Sequence, residues 1–435
     1  MIDLVHLREH PDLYKHAVRV KRINMDIDGF LKLDSLYRDL LKNVEDMRAE
    51  KNSVSKRIPG MKGAEKDTAL AEMKKLSDSL KEREEELKNT EDAWREMQLM
   101  LPSLPLKTVP VGETDKDNKE VRTWGDIPTF SFEPKDHATL GEALDILDIP
   151  RGVKIAGARS YFLKGDGARL ELAVLQFALD SLTKKGWTLF SPPLMANWEC
   201  LMGTGFFPGA EEQTYLVGAE KERGGAMEND GVYLIGTSEV SVASYHKDET
   251  LSASELPKKY AGFSACFRRE AGTYGKDTKG LYRVHQFQKV EQVVLSEADE
   301  AKSLALFEEI RTNAEDVLRA LKLPYRVMDV CTGDMGKGKV FMQDIETWMP
   351  SRKGYGETHS CSYLGEFQAR RLGITYQVPG SKERKFVHTL NNTCIASPRI
   401  LIPLLEIYQN ADGSVTIPEV LRPYMGGQEK IVAKK

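Results

Sequence analysis

The first part of the chain carries apolar positions spaced alternately four and three residues apart. The repeat runs without a break through Leu33, Tyr37, Leu40, Val44, Met47, Lys51, Val54 and Ile58. This spacing is typical of the seam of a two-stranded coiled coil. It predicts a helix about 39 Å long at ~1.5 Å per residue.

The stretch "PGMKG", from Pro59 to Gly63, interrupts this helix, because proline and glycine are unfavourable inside helices. The same spacing then returns through Ala69, Met73, Leu76, Leu80, Arg83, Leu87, Thr90, Trp94, Met97 and Leu101. The pattern predicts a helical hairpin arm over about 31–101 within an N-terminal domain 1–105. A coiled coil used only for dimerisation is the alternative, but a hairpin that pairs with itself leaves little apolar surface for a second chain.

The pattern changes after the arm. Residues 106–126 are rich in Pro, Gly and charge and are interpreted as a linker. From 127 to 435, long helical patterns cluster apart from short strand patterns, which predicts an α+β domain with a mainly antiparallel sheet. Neither a G-x-G-x-x-G after a strand nor a P-loop pattern occurs. Any nucleotide must therefore be held by side chains on a sheet.

Composition narrows the function further. The 435 residues have a formal net charge of −4, which argues against a general affinity for polyanions. No signal-peptide pattern and no apolar run of ~18 residues is present, so we expect a cytoplasmic protein without membrane contact. The five cysteines are scattered, and we expect neither disulfides nor structural zinc.

The segment "FRREAGTYGKDTKGLYRVHQFQKVEQVV", Phe267–Val294, is a predicted hairpin rich in charge. In a strand, every second residue shares a face, here Arg283, His285, Phe287, Lys289 and Glu291. The partner strand is expected to carry Arg268 and Arg269. Phe287 and Glu291 would lie about 13 Å apart. An ordinary solvated sheet face is the alternative, but this face suits a small extended ligand with one flat end and one cationic end.

Three ordered motifs allow a family to be suggested. "GWTLFSPPLMANWECLMGTGFFP", "FRREAGTYGKDTKGLYRVHQFQKVE" and "HTLNNTCIASPRILIPLLE" resemble motifs 1, 2 and 3 of class II aminoacyl-tRNA synthetases. With the arm before them and "GTSEV" between them, the whole chain closely resembles the bacterial-type seryl-tRNA synthetases. The resemblance implies a class II antiparallel sheet with flanking helices, and a homodimer whose interface lies near Pro193.

The resemblance implies that ATP and L-serine are joined to form seryl-adenylate. Two anions must meet in this reaction, so arginine forks and Mg²⁺ are needed to neutralise charge. Arg268, Glu357 and Arg399 are the implied catalytic residues, with Phe287 against the adenine and Glu270 helping to hold the nucleotide. Ser397 and Pro398 are expected to start the motif 3 helix. The implied ATP contacts are Arg268, Arg269, Glu270, Arg283, Val284, Phe287, Glu357, Thr358, Ser360 and Arg399.

The serine end of the site is implied by the same resemblance. Glu291 is expected to pair with the serine ammonium, and Thr393 to contact the hydroxyl side. The full implied set is Thr237, Ser238, Glu239, Arg268, Glu291, Asn391 and Thr393.

The family pair for Mg²⁺ corresponds to Glu357 and Ser360. Strict alternation would put these two residues on opposite faces of a strand, so a bulge, a backbone contact or a water must intervene. Two positions depart from the family pattern, Gly356 where a basic residue is common and Tyr363 where asparagine is common. Pro403 is expected to remove a hydrogen bond from the motif 3 helix and to kink it.

The implied second substrate is a serine tRNA with a long variable arm, and selenocysteine tRNA where one is present. The basic residues near the hairpin tip are candidate phosphate contacts, namely Lys51, Lys56, Arg57, Lys62 and Lys66. Two alternatives remain: an amino-acid ligase acting on a carrier protein, which would have little use for the arm, and an inactive synthetase-derived binding protein, which should have lost some of the catalytic residues.

Overall fold

The chain folds into two compact units. The computed structural model describes residues 1–218, 220–223, 226–229, 231–272 and 280–433. The units are Met1–Pro102 and Ser103–Lys435. The glycine-containing loop of the predicted charged hairpin, residues 273–279, lies outside the described residues.

The N-terminal unit is helical. Its helices are α1 (Leu4–Glu9), α2 (Pro11–Val20), α3 (Ile27–Arg57) and α4 (Ala64–Met100). A 3₁₀ turn at Ile58–Gly60 separates the two long helices, which fit the predicted coiled-coil arm. Every predicted seam residue of α3 is buried or partly buried. In α4 the prediction is wrong at Arg83, which is exposed and pairs with Glu86 on the same helix.

A buried carboxylate fixes the root of the arm. Asp34 on α3 accepts hydrogen bonds from Arg8 Nε at 2.8 Å and from the indole N–H of Trp94 on α4 at 3.1 Å. Arg38 donates to the same carboxylate at 3.1 Å. Burial alone raises the pKa of Asp34, but the hydrogen bonds from Arg8 and Trp94 and the guanidinium charges hold it below its ordinary value. Three helices are therefore joined at one ionised side chain.

The second unit contains both helices and strands. Its helices are α5 (His137–Ala143), α6 (Ile149–Ala156), α7 (Asp166–Lys184), α8 (Trp198–Thr204), α9 (Glu239–Ala243), α10 (Glu300–Ala320), α11 (Phe367–Leu372) and α12 (Leu401–Ile407). Short 3₁₀ segments occur at Asp115–Asp117, Glu211–Gln213, Ser244–His246, Ala253–Glu255, Pro350–Arg352 and Glu419–Met425.

The strands of this unit follow one another mostly as antiparallel neighbours. They are β1 (Lys119–Trp124), β2 (Leu147–Asp148), β3 (Phe162–Leu163), β4 (Thr188–Phe190), β5 (Met195–Ala196), β6 (Leu216–Val217), β7 (Glu220–Arg223), β8 (Ala226–Asn229), β9 (Val232–Leu234), β10 (Thr250–Ser252), β11 (Lys258–Phe267), β12 (Gln286–Ser296), β13 (Tyr325–Asp329), β14 (Phe341–Met349), β15 (Gly354–Gly365), β16 (Thr375–Gln377), β17 (Arg384–Phe386), β18 (His388–Ser397), β19 (Val415–Thr416) and β20 (Lys430–Ile431).

A large sheet organises the unit. In the described part of the chain its order is β1-β13-β14-β15-β18-β12-β11-β4. Neighbouring strands are antiparallel except β4, which lies parallel to β11 at the edge. The predicted α+β fold with a mainly antiparallel sheet is confirmed.

The two faces of this sheet have different roles. Val290 and Val294 of β12 pack into the main apolar core together with Val174 of α7 and Phe307 and Ile310 of α10. Since strand residues alternate between faces, the odd-numbered residues near the start of β12 point the other way. That second face carries the polar side chains described below.

The structure corrects several predicted boundaries. Lys119–Trp124, inside the expected linker, forms edge strand β1 and pairs with β13. Strand β11 ends at Phe267 and β12 begins at Gln286, so Arg268, Arg269, Arg283 and His285 lie in the connecting segments and not within the strands. The alternating pattern extends the strand too far because the loop uses similar residue types.

The motif 3 helix also begins later than predicted. Ser397 is the last residue of β18, and helix α12 starts at Leu401, so Ser397 and Pro398 do not begin the helix. The hydroxyl of Ser397 instead donates to Glu171 at 2.8 Å. Pro403 falls in the first turn of α12, where backbone N–H groups have no partner within the helix. The predicted loss of a helical hydrogen bond there is therefore wrong.

Crossing a bilayer requires a helix that is both long and predominantly apolar. Of the helices that the structure describes, none combines the length and apolar character needed to span a membrane.

Candidate active site

A cavity of about 360 Å³ opens on the polar face of the sheet. It brings together residues from motif 2, motif 3, β15, β18 and the segment before α9. Most of the predicted site residues line it, namely Thr237, Glu239, Arg268, Glu270, Arg283, Val284, Phe287, Glu291, Glu357, Thr358, Ser360, Asn391, Thr393 and Arg399.

Two predicted residues do not line this cavity. Ser238 is fully buried and donates its hydroxyl hydrogen to the carbonyl oxygen of Gly262 at 3.2 Å. Arg269 is exposed, and its backbone N–H donates to Gln213 at 2.9 Å. Ser238 and Arg269 are predicted because they follow Thr237 and Arg268 directly in the motifs. In the structure only the first residue of each pair lines the cavity.

A bulge in β15 explains how Glu357 and Ser360 can act together. Ser360 pairs with Asp344 and His359 with Ile345, but Glu357 pairs with Glu346, which leaves Thr358 as an extra residue. The extra residue brings positions 357 and 360 to the same face of the strand. Three ways of bringing Glu357 and Ser360 together are open from the sequence, a bulge, a backbone contact and a water, and the structure supports the bulge.

A second bulge lies in β18, next to the predicted serine residues. Lys289 pairs with Ala396 and Glu291 with Thr393, so the strand contains one more residue than β12 between these pairs. Val290 pairs with Ile395, which leaves Cys394 as the extra residue. Thr393 and Ala396 consequently face the cavity together, although they are three positions apart.

Arg268 and Phe287 form one end of the site. The guanidinium of Arg268 lies over the Phe287 ring, 5.2 Å from its centroid, and its Nε–H donates to the carbonyl of Gly236 at 3.2 Å. The arginine keeps further N–H groups for an anion, since its guanidinium has five. A flat aromatic base and a negatively charged group can bind here side by side.

Glu270 and Arg268 do not share a strand face, because both residues lie beyond the end of β11. Glu270 has φ of 52°, in the left-handed region. Its carboxylate pairs with Arg283 at 2.9 Å. This ion pair joins the two connecting segments of motif 2 at the edge of the cavity.

Arg399 is braced by main-chain groups. Its Nε–H donates to the carbonyl of Tyr282 at 3.1 Å, and Nη1 donates to the carbonyl of Glu357 at 2.9 Å. The guanidinium also lies over the Tyr282 ring at 4.4 Å, and Arg352 lies over the same ring at 4.1 Å. The Arg399 side chain is thereby held next to Glu357 before any ligand arrives.

Asp344 is a site residue that the sequence analysis missed. It lies opposite Ser360 on β14, and burial together with the Glu357 charge raises its pKa well above the ordinary value. Its Oδ1 is buried and accepts no hydrogen bond from the described residues. Two crowded carboxyls and a hydroxyl on one face fit a hard divalent cation. No separate cluster of three His, Cys, Asp or Glu side chains suited to a metal occurs in the described ranges.

Glu291 lies at the other end of the site from Phe287. It is buried and accepts a hydrogen bond from Thr393 Oγ1 at 3.2 Å. Lys289, also buried, forms an ion pair with the same carboxylate at 2.5 Å. The alternating pattern of β12 predicts Lys289 on this face but indicates no role for it. The lysine ammonium lies directly against the Glu291 carboxylate, so the two buried charges offset one another.

Glu239 adds a second carboxyl at this end. Its Oε1 accepts hydrogen bonds from Gln368 and Asn391, each at 2.8 Å. Burial and the nearby Glu291 charge raise the pKa of Glu239 above the ordinary glutamate value. The site thus contains one buried carboxylate that is paired with a lysine, Glu291, and one buried carboxyl whose pKa is raised, Glu239.

The two departures from the family pattern have different surroundings. A side chain at Gly356 would begin 3.0 Å from the Tyr282 ring and 3.1 Å from Met349, so glycine leaves room for the ring that stacks on Arg399. Tyr363 packs into the main core and its hydroxyl is 3.0 Å from His388. Burial raises the pKa of Tyr363 to about 12. Only the Gly356 departure touches the site.

Comparison with known proteins gives consistent matches. The family model for the class II core domain of tRNA synthetases of the G, H, P, S and T types matches residues 222–408, and the model for the seryl-tRNA synthetase N-terminal domain matches residues 1–105. The serine–tRNA ligase of Deinococcus radiodurans is 48% identical, with 99% of this chain and 98% of that protein covered. That of Geotalea uraniireducens is 43% identical, with 99% and 100% covered.

Solved structures extend the likeness to the fold. The seryl-tRNA synthetase of Pyrococcus horikoshii complexed with ATP superposes with a TM-score of 0.89 at 35% identity, with both chains fully covered. The cytoplasmic serine–tRNA ligase of Naegleria fowleri in complex with AMP gives 0.84 at 31% identity, with 100% and 99% covered. The sheet and its site are those of a class II aminoacyl-tRNA synthetase. The chain belongs to the seryl-tRNA synthetase family.

Replacing Glu239 by glutamine should stabilise the ligand-free protein. The amide oxygen of glutamine can still accept from Gln368 and Asn391, while the unfavourable charge next to Glu291 is removed. Because the folded-state pKa of Glu239 is raised, burying this group destabilises the wild type least at low pH and most at high pH. We expect Glu239→Gln to raise the free energy of unfolding by about 1 kcal/mol at pH 8 and by less at pH 5.

Urea unfolding followed by fluorescence at both pH values measures this difference. Glu133→Gln is the matched control, since Glu133 is exposed and its change should stay within about 0.5 kcal/mol. A Glu239→Gln protein that is less stable than the wild type at pH 8 contradicts the assignment.

Proposed function

We propose that this chain activates serine with ATP and transfers the seryl group to the terminal adenosine of serine tRNA, and of selenocysteine tRNA where one is present. The observation that carries the proposal is the layout of the cavity. Arg268, Phe287 and Arg399 provide an aromatic and cationic end, and Glu291 and Thr393 provide a carboxylate end about 13 Å along β12 from Phe287. Membership of the seryl-tRNA synthetase family supports the same substrates.

In the first step, a serine carboxylate oxygen bonds to the α-phosphorus of ATP. The bond from that phosphorus to the bridging oxygen breaks, and pyrophosphate leaves. Arg268 offers N–H donors to both anions, which lowers the cost of bringing them together. Phe287 packs against the adenine, and Arg399 binds phosphate oxygens from the opposite side of the cavity.

Recognition of serine uses charge and size. Glu291 accepts from the serine ammonium, and its orientation is fixed by Lys289 and Thr393. Thr237 and Glu239 close around the ammonium end, Thr393 contacts the hydroxyl side, and Asn391 completes the set. A site built to bond a small hydroxyl discriminates against amino acids that lack one, because its own polar groups would lose their partners.

Mg²⁺ fits the group formed by Asp344, Glu357 and Ser360. These residues share one face, and burial together with the Glu357 charge raises the pKa of Asp344, an effect that a bound cation would oppose. When bound, the ion would neutralise phosphate charge.

In the second step, the 3′-hydroxyl oxygen of the terminal adenosine bonds to the seryl carbonyl carbon and loses its proton. The bond from that carbon to the phosphate oxygen breaks, and AMP leaves. The proposed tRNA has a long variable arm, which a coiled-coil hairpin is suited to bind.

The carrier-protein ligase alternative does not use this hairpin, and the inactive-protein alternative does not explain why Arg268, Glu357 and Arg399 line one cavity. We propose that the enzyme works in the cytoplasm, where these substrates are found.

Serine should drive ATP–pyrophosphate exchange better than any other amino acid. Exchange measured with all twenty amino acids tests the proposal, and faster exchange with threonine or alanine would overturn it.

Arg268→Ala should lower the rate of pyrophosphate exchange about 100-fold, since one charge-stabilising contact is worth roughly 3 kcal/mol. Arg269→Ala is the matched control, because Arg269 does not line the cavity and should leave the rate within about twofold.

We also propose a homodimer that pairs through the region around Pro193. Support comes from large apolar side chains left exposed close to Pro193 in the sequence, namely Leu189 on β4, Leu194 and Met195, and Leu172 on α7 is exposed as well. An apolar patch left exposed on a subunit is typical of an interaction site.

Sedimentation equilibrium at micromolar concentration should show twice the 49.0 kDa chain mass. Leu189→Lys combined with Leu172→Lys should shift the species toward monomer, since two charges would have to be buried in the interface. Leu13→Lys, at an exposed leucine of α2, is the control and should stay dimeric. A monomeric wild type would refute the interface.

The arm is proposed to bind tRNA and to take no part in adenylate formation. Arg48 of α3 pairs with Glu84 of α4 at 2.7 Å, so a short turn in place of residues 49–83 would shorten the hairpin while keeping the Asp34 root. Pyrophosphate exchange should remain near normal, and transfer to tRNA should fall at least tenfold because the recognition surface is gone. Full charging by the shortened enzyme would restore the dimerisation-only interpretation.

The basic tip offers a milder test of the arm. Lys56, Arg57, Lys62 and Lys66 are exposed, whereas Lys51 donates to Ser77 across the hairpin at 3.0 Å. Neutralising the four exposed residues should reduce the log–log salt slope of tRNA binding by about one unit for each phosphate that the arm no longer neutralises. Lys51→Ser is the comparison, and it should change the slope less.

A further inference from the structure

A buried histidine outside the cavity contacts the backbone of motif 2. His137 is the first residue of α5, and its Nε2 lies 3.0 Å from the backbone nitrogen of Leu281. A backbone N–H can only donate, so Nε2 must be the unprotonated ring nitrogen. The proton therefore sits on Nδ1, which lies 2.7 Å from Glu406 Oε1 and donates to it.

Glu406 is well placed to hold the ring in this tautomer. It is fully buried on α12, in the motif 3 segment. Besides the ring of His137, its carboxylate accepts from the backbone N–H of His137 at 3.0 Å and from Ser351 at 2.7 and 2.8 Å. A carboxylate behind an imidazole fixes which ring nitrogen carries the proton, because Nδ1–H always finds an acceptor there.

The contact with Leu281 depends on a close approach of the chain. Gly280 has φ of 77°, and a Cβ at this position would lie 2.2 Å from His137 Nε2. Only glycine lets the backbone come this near to the ring. Leu281 itself is fully buried, so its N–H has no access to water in place of the histidine.

The backbone held by His137 lies next to the residue that positions Arg399. Tyr282 follows Leu281 directly, and its carbonyl accepts from Arg399 Nε while its ring lies against the same guanidinium. This part of motif 2 precedes strand β12, so its position is not set by the sheet ladder. Glu406, His137, Leu281 and Tyr282 thus form a chain of contacts that ends at a catalytic arginine.

We infer that His137 is a positioning residue for Arg399, acting through the backbone of Leu281 and Tyr282, with Glu406 fixing its tautomer. The inference rests on the proposed function for its kinetic consequence. Without the histidine, Tyr282 should shift, and a displacement of about 1 Å at a catalytic group can cost on the order of 100-fold in rate. Serine contacts lie elsewhere in the cavity and should be unaffected.

His137→Ala tests the inference by pyrophosphate exchange with the full-length chain. We expect kcat to fall by about 10- to 100-fold and KM for ATP to rise, with KM for serine within about twofold of the wild-type value. In His137→Gln the side-chain amide oxygen can accept from Leu281 while its N–H₂ donates to Glu406. This variant should retain kcat within about threefold, because the hydrogen bond to Leu281 is restored.

Asp136→Ala separates positioning from stability. Asp136 caps α5 by accepting from the backbone N–H groups of Ala138 and Thr139, both at 2.9 Å, and does not take part in the Leu281 contact. Its removal should lower the melting temperature and leave kcat unchanged. A folded His137→Ala enzyme with wild-type kcat would overturn the inference, and so would a His137→Gln enzyme that melts normally but is as slow as the alanine variant.

Hydrogen–deuterium exchange supplies a readout that does not require activity. The Leu281 amide should be protected in the wild type and in His137→Gln, and should exchange at least tenfold faster in His137→Ala. Unchanged protection in the alanine variant refutes the contact. If the wild type showed no serine-dependent exchange of pyrophosphate, the proposed function would fail, while this measurement would still decide whether His137 holds the motif 2 backbone.

Discussion

The pairing of Arg399 with two main-chain carbonyls connects the separate parts of the site. One carbonyl belongs to Tyr282 of motif 2 and the other to Glu357 of β15, while Arg399 itself comes from motif 3. Segments that lie 117 and 42 residues from Arg399 in the sequence therefore meet at its guanidinium. Because the acceptors are backbone atoms, the brace constrains the path of the chain more than the identity of the side chains. The placement of phosphate-binding groups follows from that path.

The fold could be predicted in outline from the sequence, since hydrophobic spacing reports directly on burial. The seam of α3 and the break at Pro59–Gly63 are read from residues close together in the chain. The bulges at Thr358 and Cys394 could not be found this way, because a bulge is defined by the register of a neighbouring strand. The late start of α12 has a similar cause: Ser397 remains paired with Gln288, and this long-range contact outweighs its local preference to cap a helix.

The site could be predicted where its residues stand in recognisable motifs, as with Arg268, Phe287, Glu291 and Arg399. Lys289 lies in the same alternating series, but a lysine on a polar strand face usually indicates solvent, and only the structure shows that it is buried against Glu291. Asp344 was missed because it belongs to a different strand from Glu357, and its importance depends on their cross-strand proximity. Chemistry that arises from pairing between strands is not encoded in local spacing.

The network around Asp34 has a mechanical consequence for the arm. Asp34 lies near the start of α3, and the 23 residues from there to Arg57 span about 35 Å at 1.5 Å per residue. A rigid rod of this length converts a rotation of about 5° at its base into a displacement of about 3 Å at its end. The resistance of the Asp34 hydrogen-bond cluster to bending thus sets how far the distant end of the hairpin can move.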